Sequence, residues 1–330
     1  MDSVCGGTAE SMMLIDAYSQ IFRAFFAIRM LTNSRGEPVN AAYGFTKLLL
    51  KLEKECPSPA GAMLFDCGRV GFRAEILPGY KANRPPMPEE LRCQIPLIRE
   101  IAAAFGWPLF QHQDWEADDL IGGLVRRFSA YRVRIVSADK DLSQLVDDRV
   151  EMLVPSSSGF ERRGREEVRK KFGVAPELMV DYLALLGDAS DNIPGIAGIG
   201  PKGAADLLNT FGPAEQWLDA PEKLAGSKYF PKIQPCLDVL EQNRKLIRLR
   251  TEWPEDIPLT EAPRRKSPDW RRVAEICRDN RFASILKELP APAVSAADAG
   301  DDLFAFAAAR SVPEAEPEPV AEHPVQPELF

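Results

Sequence analysis

The stretch Met12-Met13-Leu14-Ile15-Asp16 decides the fold, because a short apolar run leads directly into a carboxylate. The pattern recurs twice: Ala62-Met63-Leu64-Phe65 leads into Asp66, and Val133-Arg134-Ile135-Val136 is followed three residues later by Asp139. Short apolar runs of this kind are typical of strands that are buried on both faces. We therefore predict three core strands, each ending close to an aspartate.

Apolar residues with helical spacing occur around residues 41–55, 90–105 and 117–129. The alternation of strands and helices predicts an α/β fold with a mostly parallel sheet wrapped by helices. Ligands of such sheets bind beyond the carboxyl ends of the strands. The aspartates that follow the three runs are therefore expected to face a functional site.

The length of 330 residues, of which 45% are apolar, is enough for about two domains with a sizeable core. No apolar run approaches the roughly 20 residues that span a bilayer. The N-terminal residues lack the basic and apolar regions of a signal peptide. These features predict a cytoplasmic protein that does not enter a membrane.

The cysteines and histidines argue against several classes of enzyme. The six cysteines are scattered and form no C-x-x-C pair, which disfavours both a zinc site and a disulfide framework. His112 and His323 are the only histidines, and His323 lies in the C-terminal tail. A serine or cysteine hydrolase with a catalytic imidazole is therefore not expected.

The net charge of −8 is unevenly distributed along the chain. From Ala291 onward there are eight acidic residues and one basic residue, which leaves 41 acids and 40 bases in the body. Nine of those acids belong to the candidate site described below, so the remaining body is net basic by 8. A basic body around a concentrated acidic pocket suits a metal site that meets a polyanion.

Composition divides the chain into four parts. Residues 1–11 are expected to form a disordered N-terminus, and residues 12–175 the α/β domain. Residues 176–290 have a helical pattern interrupted by glycines, which predicts a helical domain. Ala, Pro and Glu dominate residues 291–330, which predicts a disordered acidic tail.

Residues 69–92, between the second strand and the next helix, are rich in Arg, Lys and Pro. The segment includes Arg73, Lys81 and Arg84. We interpret it as an exposed basic connection rather than as part of the core.

Nine carboxylates from five places in the chain form the main candidate site: Asp16, Asp66, Glu116, Asp118, Asp119, Asp139, Asp141, Asp188 and Asp191. Taken singly, each has an ordinary explanation as a turn residue, a helix cap or a favourable charge at a helix N-terminus. Together they would repel one another strongly unless cations were bound. Oxygen ligands suit Mg²⁺ or Mn²⁺, and two ions about 3.5–4 Å apart can clamp a scissile phosphate and activate water. We therefore predict a two-metal site.

At these residues the chain resembles the bacterial 5′–3′ exonuclease domain of DNA polymerase I and the wider flap endonuclease family. The matching stretches occur in the family order, at residues 14–16, 65–66, 80–88, 116–119, 137–141 and 186–195. The resemblance extends from about residue 12 to residue 290. It implies a PIN/resolvase-like α/β domain, followed by a small helical domain with a helix–hairpin–helix element.

The resemblance also implies a role for each carboxylate. Asp16, Asp66, Glu116 and Asp118 would hold a first ion on the side of the attacking water. Asp139, Asp141 and Asp191 would hold a second ion on the leaving-group side, with Asp118 able to bridge the two. Asp119 and Asp188 would act through water. The implied ions are two Mg²⁺, for which Mn²⁺ can substitute.

Four further residues match positions that contact DNA in the family. Lys81 and Arg84 would reach from the basic connection onto the scissile phosphate. Tyr80, beside them, would stack on a terminal base, an interaction that tolerates any sequence. Arg23, after the first strand, would contact a backbone phosphate.

The glycine-rich stretch at residues 195–202 resembles the hairpin of the helix–hairpin–helix element. Gly195, Gly198 and Gly200 would let backbone amides approach a phosphate, and Lys202 would add a charge at the start of the next helix. Such an element binds the duplex backbone without reading its sequence. In relatives it also holds a potassium ion through backbone carbonyls.

The chain departs from the family pattern at Ala17 and Ala138, where relatives usually have glycine. Because both residues are small, we expect a slightly adjusted backbone rather than a loss of metal ligands. The chain stops before any polymerase domain, which predicts a free-standing nuclease. Its last residues, with Gln326, Leu329 and Phe330, resemble the peptide by which bacterial replication proteins bind the sliding clamp.

The predicted function is therefore that of a monomeric, structure-specific 5′ nuclease, a 5′–3′ exonuclease and flap endonuclease. It would hydrolyse DNA, or an RNA–DNA hybrid, during primer removal or repair. Two alternatives remain. A toxin-type single-strand ribonuclease shares the broad fold but lacks the 80–84 element and the hairpin. A non-catalytic binder of branched DNA would tolerate loss of the metal ligands, yet all of them are present.

Overall fold

A six-stranded sheet forms the centre of the molecule in the computed structural model, which describes residues 10–68, 71–156 and 159–290. The strands are β1 (Ser11–Asp16), β2 (Ala60–Asp66), β3 (Leu109–His112), β4 (Arg132–Val136), β5 (Val150–Ser156) and β6 (Gly159–Arg163). Their order is β3-β2-β1-β4-β5-β6. The first five run parallel, and only β6 pairs antiparallel, with β5. The mostly parallel sheet expected from the sequence is confirmed.

Helices cover both faces of the sheet. In the α/β part they are α1 (Ala17–Ala27), α2 (Asn40–Glu55), α3 (Gly71–Ile76), α4 (Glu89–Arg92), α5 (Ile95–Ala104), α6 (Ala117–Arg127) and α7 (Arg165–Phe172). A 3₁₀ helix spans Asp141–Leu145. Successive side chains of a strand point to opposite faces, so Met12 and Leu14 enter one core while Met13 and Ile15 enter the other. The four residues are fully buried.

The second part of the chain is helical. It contains α8 (Met179–Leu186), α9 (Pro201–Phe211), α10 (Glu215–Asp219), α11 (Phe230–Ile233), α12 (Leu237–Ile247), and 3₁₀ turns at Pro176–Leu178, Pro221–Leu224 and Gln234–Cys236. Its buried residues, including Trp217 and Leu240, belong to the same apolar cluster as Met12 and Leu14. The helical part therefore packs directly on one face of the sheet, without an intervening linker.

The last described segment returns to the opposite face of the sheet. Helices α13 (Trp270–Asp279) and α14 (Ala283–Leu286) bury Val273, Ile276 and Ile285 in the cluster that contains Met13 and Ile15. This differs from the expectation that residues 176–290 form one helical domain. The reason is that α13 is apolar on one side only, and its matching apolar surface lies on the α/β part.

A short extended segment guides this return and is held by close backbone contacts. The Lys266 amide donates to the Gly106 carbonyl at 3.0 Å. Gly106 has a positive φ of 78°, and a Cβ there would lie 2.1 Å from the Lys266 oxygen. Only glycine fits this position, because it lacks the Cβ and tolerates the left-handed conformation. Arg265 stacks its guanidinium 3.7 Å from the Trp107 ring and pairs with Glu53.

In the described ranges no helix combines the length and the apolar character needed to cross a membrane. The expectations about residues 1–9 and about the tail from residue 291 onward, including Gln326, Leu329 and Phe330, lie outside the described residues.

Candidate metal centre and nucleic-acid interface

Three neighbouring strands bring their terminal aspartates to one edge of the sheet. Asp16 is the last residue of β1, Asp66 is the last residue of β2, and Asp139 follows the end of β4 by three residues. In the sheet, β1 lies between β2 and β4 and runs parallel to both. The three carboxylates therefore meet beyond the carboxyl ends of the strands, where parallel sheets bind their ligands.

Asp16 is buried and caps helix α1. Its Oδ1 accepts a hydrogen bond from the Ser19 amide at 3.2 Å, and its Oδ2 accepts one from the Ser137 hydroxyl at 2.9 Å. Burial, together with the charges of Asp66 and Asp139, raises the pKa of Asp16 to about 7. Near neutral pH this carboxylate therefore needs a cation to be fully ionised.

The start of helix α6 brings a second group of carboxylates to the same place. Asp66 accepts a hydrogen bond from the Ala117 amide at 2.8 Å, which ties the end of β2 to the first turn of α6. Asp118 lies in that turn. Burial raises the pKa of Asp118 well above its usual value, and the charges of Asp139, Asp16 and Asp66 raise it further. Asp118 therefore lies among the carboxylates that end the three strands.

The loop after β4 contributes the remaining pair of carboxylates, both half-buried. The Ser137 hydroxyl accepts a hydrogen bond from the Asp139 amide at 3.1 Å, and Asp139 Oδ1 accepts one from the Asp141 amide at 2.9 Å. Burial raises the pKa of Asp139. Burial also raises the pKa of Asp141 well above its usual value, and the charge of Asp139 adds to the shift. The loop thus turns two carboxylates toward the same pocket.

Basic side chains contact only the outer carboxylates. Lys140 pairs with Asp188 at 2.7 Å, Lys81 pairs with Glu116 at 2.8 Å, and Arg84 Nε lies 3.0 Å from Asp191. Arg73 pairs with a fourth carboxylate, Asp119, at 2.6 Å. Within the described part of the chain, none of these four cations forms an ion pair with the remaining five carboxylates. We call these the inner carboxylates: Asp16, Asp66, Asp118, Asp139 and Asp141. None of them has a direct ion pair with these cations, although the charge of Lys140 partly offsets those of Asp139 and Asp141.

The inner carboxylates fit divalent metal ions in donor chemistry and in charge. Carboxylate oxygens are the ligands that Mg²⁺ and Mn²⁺ prefer, and an ion would relieve the mutual repulsion that helps to raise the pKa values of Asp16, Asp118, Asp139 and Asp141. Among the described residues, no three Asp, Glu, His or Cys side chains already surround one point at coordinating distance. The charges and the donor atoms are therefore present, but the side chains do not converge closely enough to coordinate one ion together.

Asp188 and Asp191 occupy the loop between α8 and α9. Burial would raise the pKa of Asp188, but hydrogen bonds from Lys140 and Ser190 outweigh it, so the pKa of Asp188 is lowered. Asp191 is only 6% exposed and is held by Arg84 and by the Tyr80 hydroxyl. Asp188 is thus ionised, and both carboxylates are already paired with protein groups, unlike the inner set.

Asp119 differs from its expected role as an acid that acts on the metals through water. Its two oxygens accept hydrogen bonds from Arg73 Nη1 and Nη2 at 2.6 and 2.8 Å, and Oδ1 also accepts one from the Arg250 amide at 2.8 Å. Asp119 is 1% exposed and Arg73 is 3% exposed. Its two oxygens thus accept three hydrogen bonds from protein groups in this structure, two of them from a buried arginine. No local sequence pattern indicated the pairing.

Tyr80 is buried, so the expected stacking on a terminal base is wrong for this structure. Its side chain is 6% exposed, and its hydroxyl donates to Asp191 Oδ2 at 3.1 Å and lies 3.3 Å from Glu116 Oε2. Burial raises the pKa of Tyr80, and the charges of Glu116 and Asp191 raise it further. The hydroxyl therefore remains a donor to these carboxylates.

A Tyr80→Phe substitution distinguishes the two roles of this residue. The ring is retained, so stacking would be unaffected, whereas Asp191 would lose a buried donor. We expect the rate of cleavage to fall about tenfold, since a hydrogen bond to a charged group contributes about 1.5–3 kcal/mol. Single-turnover cleavage of flap DNA measures the rate. An unchanged rate would show that the hydroxyl does not position Asp191.

The basic connection at residues 69–92 is not uniformly exposed, which corrects the expectation for this segment. Arg73 and Tyr80 are buried, and the turn that follows is fixed to the α8–α9 loop. The Lys81 amide donates to the Asp191 carbonyl at 3.0 Å, and Asn192 Nδ2 donates to the Gly79 carbonyl at 2.9 Å. Lys81 and Asn192 both have positive φ values, 58° and 59°. These are strained conformations for residues with a Cβ.

The cations of this turn point toward the acidic pocket. Burial would lower the pKa of Lys81, but the charge of Glu116 outweighs it, so the pKa of Lys81 is raised. Burial would also lower the pKa of Arg84, but the charge of Asp191 outweighs burial, so the pKa of Arg84 is raised. Both side chains are therefore charged at the edge of the site, as a contact with a phosphate requires.

Arg23 lies on α1, away from the inner carboxylates, and lines a groove with Lys47, Lys51 and Lys54 from α2. Glu288 pairs with Lys47 and Lys54, so the groove is only partly basic. This arrangement agrees with a surface position for Arg23.

The hairpin glycines have different surroundings. A Cβ on Gly195 would lie 2.0 Å from the Leu186 oxygen, so this glycine is required by packing. The Gly198 carbonyl accepts a hydrogen bond from the Lys232 ammonium at 3.1 Å. Gly200 caps α9 and has no heavy atom within 4 Å of a Cβ position, so its backbone is open. Lys202 is exposed in the first turn of α9. An anion could therefore approach at Gly200 and Lys202.

Fold and site together define a resolvase-like α/β nuclease. Residues 11–173 match the family described as 5′–3′ exonuclease, N-terminal resolvase-like domain. Residues 174–270 match the family described as 5′–3′ exonuclease, C-terminal SAM fold. The chain belongs to the 5′–3′ exonuclease family. The resemblance found in the sequence and the enzyme class that it implied are thus confirmed.

Relatives include single nucleases and much longer proteins. The chain is 38% identical over 283 residues to the 5′–3′ exonuclease of Aquifex aeolicus, covering 85% of this chain and 95% of that protein. It is also 38% identical over 287 residues to the thermostable DNA polymerase I of Thermus thermophilus. That match covers 86% of this chain but 34% of the polymerase. The chain therefore spans about a third of such polymerases.

Solved structures of similar fold include two from bacteriophage T5. One is the T5 5′-exonuclease with bound zinc ions, and the other is the T5 flap endonuclease in a pseudo-enzyme–product complex with DNA and metal ions. Each is 25% identical, has a TM-score of 0.60, and covers 73% of this chain and 90% of the other. The catalytic core of Rad2 in complex with DNA, at 17% identity and a TM-score of 0.55, shares the fold, covering 82% of this chain and 88% of the other.

Proposed function

We propose that this protein is a structure-specific 5′ nuclease that hydrolyses DNA phosphodiesters at 5′ ends and flaps with the help of two Mg²⁺ ions. The observation that carries the proposal is the set of five inner carboxylates, which none of the nearby cations pairs with directly, placed next to a turn that presents Lys81 and Arg84. A polyanionic substrate and divalent cations together would balance this distribution of charge.

The residues fall into groups with separate tasks. Asp16, Asp66, Asp118, Asp139 and Asp141 would hold the ions, with Glu116 and Asp191 joining them once released from Lys81 and Arg84. Bound divalent ions supply charge stabilisation and an activated water. Because Arg73 already holds Asp119, and Lys140 already holds Asp188, we leave these two acids out of the ligand set.

Lys81 and Arg84 would bind the scissile phosphate. Both are charged, and both are paired with carboxylates that the ions would compensate. The hairpin would hold the duplex at a distance, since Gly200 leaves the N-terminus of α9 open and Lys202 adds a positive charge there. Arg23 would contact the backbone from the groove on α1 and α2. The T5 flap endonuclease, whose fold is similar, was solved in a complex with DNA and metal ions, which supports a site that binds both.

Four finer proposals concern ligands, partners and the oligomeric state. A potassium ion at the hairpin would compete with the Lys232 ammonium for the Gly198 carbonyl. Binding of the sliding clamp by Gln326, Leu329 and Phe330 rests on the sequence alone; a pull-down in which deletion of residues 326–330 leaves clamp binding unchanged would refute it. We also propose that the protein acts as a monomer and that Mn²⁺ can substitute for Mg²⁺.

The test compares three labelled substrates that share one sequence: a 5′-flap DNA, the same strand as unpaired DNA, and its RNA equivalent. With Mg²⁺, we expect the flap to be cut near the junction with a 5′-phosphate on the downstream product. Preferential cleavage of unpaired RNA would instead support the toxin-type ribonuclease. Binding of the flap without cleavage, in Mg²⁺ and in Mn²⁺, would support the non-catalytic binder. In the presence of EDTA the flap should stay intact.

A further inference from the structure

Arg73 has the most extensively hydrogen-bonded side chain near the site. Its Nη1 and Nη2 donate to the two oxygens of Asp119 at 2.6 and 2.8 Å, and its Nε donates to the Leu246 carbonyl at 2.7 Å. Nη2 also reaches the Arg248 carbonyl at 3.4 Å, and Nη1 lies 3.4 Å from Glu116. A planar guanidinium can serve all these partners at once, whereas a lysine ammonium cannot.

These contacts join three separate parts of the fold. Arg73 lies on α3, Asp119 lies in the first turn of α6, and the carbonyls of Leu246 and Arg248 lie at the end of α12 and just beyond it. The Arg250 amide, two residues further along, also donates to Asp119. The acidic turn of α6 is therefore attached to the helical part of the molecule through the buried Arg73–Asp119 ion pair and the Arg250 amide.

The pair also determines how α6 is rotated about its axis. Consecutive residues of an α-helix point about 100° apart, since the helix has 3.6 residues per turn. Asp119 points to Arg73, and the preceding Asp118 therefore lies on a different side of α6, in the turn where the Ala117 amide donates to Asp66 at 2.8 Å. A rotation by one residue would turn Asp118 away from the site and bring Asp119 toward it. Without the pair, two adjacent aspartates would compete for the same position.

We propose that Arg73 is a positioning residue, which binds Asp119 and thereby fixes the rotation of α6 that aims Asp118 at the metal site. The inference rests on the proposed function only in naming the site as a metal site. Arg73 contacts neither substrate nor reacting atoms. It acts through Asp119 and Asp118, in the way that groups behind metal ligands orient those ligands.

The test compares Arg73→Lys with Arg265→Lys as a matched control. Arg265 is also buried, also pairs with a carboxylate (Glu53), and also donates to backbone carbonyls, those of Ser58 and Phe105, but it lies in the returning segment. Both variants keep the positive charge but lose the planar guanidinium group with its several N–H donors. For each variant, Mn²⁺ binding is measured by calorimetry, flap affinity by anisotropy, and kcat and KM by steady-state cleavage.

For Arg73→Lys we expect kcat to fall on the order of 10²-fold and Mn²⁺ affinity on the order of tenfold. KM and flap affinity should stay within about threefold of the parent. Arg265→Lys should lower the melting temperature at least as much, with kcat within about threefold of the parent. If the two variants lose kcat to the same extent, Arg73 is only a stabilising residue and the proposal is wrong.

A double variant, Arg73→Met with Asp119→Leu, covers the case in which Arg73→Lys does not fold, because apolar replacement of a buried ion pair is often tolerated. This folded variant should bind the flap and cut it slowly. Normal kcat in the double variant would overturn the proposal. A parent protein that neither binds Mn²⁺ nor cuts the flap would refute the proposed function, which is a separate outcome.

Discussion

The protein with asparagine in place of Asp118 is expected to bind flap DNA normally and to cut it about 10³-fold more slowly. Asp118 lies among Asp16, Asp66, Asp139 and Asp141, all of which contribute to the raised pKa of its carboxyl group. Asparagine has nearly the same shape and retains an oxygen, but it removes a charge at the point where the carboxylates meet. The loss should therefore appear in kcat and in metal affinity, with little change in KM.

Asp114→Asn provides the matched control for this substitution. Asp114 is exposed, and it precedes the same helix by three residues. The Asp114→Asn substitution should leave kcat within about twofold of the parent. Asp139→Ala should behave like Asp118→Asn, because Asp139 contributes to the raised pKa of both Asp118 and Asp16. Near-normal cutting by Asp118→Asn or by Asp139→Ala would contradict the assignment of the inner carboxylates as metal ligands.

Without divalent ions, the protein is expected to become less stable as the pH rises from about 5 to about 8. The pKa of Asp16 is raised from 3.8 to about 7, and those of Asp118, Asp139 and Asp141 are raised as well. In this range the folded protein binds more protons than the unfolded chain, so the free energy of unfolding falls with increasing pH. Between its unfolded pKa of 3.8 and its folded pKa of about 7, Asp16 alone accounts for a loss on the order of 4 kcal/mol, of which about 3 kcal/mol falls above pH 5.

Urea unfolding at several pH values, with EDTA or with Mg²⁺, tests this expectation. Mg²⁺ should stabilise the protein much more at about pH 8 than at about pH 5, because ions replace the protons of the inner carboxylates. Asp188 has a lowered pKa and acts in the opposite sense, but its contribution is already complete near pH 5. Asp118→Asn should flatten the pH dependence in EDTA. A metal-free protein of constant stability over this range would show that the carboxylates do not interact strongly.

The strand ends could be recognised from the sequence because their signals are local. A buried apolar run that leads into an aspartate reports both the strand and the edge at which the carboxylate lies, as Asp16 and Asp66 show. Asp118 and Asp119 could not be separated in this way. Their different surroundings depend on Arg73, 46 residues away from Asp119 along the chain, and on carbonyls 173 and 175 residues away from Arg73.

The buried position of Tyr80 and the return of α13 to the α/β part differ from the sequence-based expectations for a related reason. A basic, proline-rich segment is usually exposed, and the sequence does not show that Tyr80 and Arg73 turn inward to meet carboxylates from α6 and the α8–α9 loop. Likewise, the apolar face of α13 predicts that this helix is buried, but it does not show which part of the fold the helix packs against. The packing of α13 on α5 is a long-range contact, which only the folded structure reveals.

The return of the chain to the far face of the sheet has a consequence for any attempt to separate the two halves. A piece ending near residue 175 would leave Ile98, Phe105 and Trp107 without α13 and without the stacked Arg265. Exposed aromatic and aliphatic surface of this kind promotes aggregation. The smallest portion able to fold by itself therefore includes residues from both ends of the described chain, even though every inner carboxylate precedes residue 142.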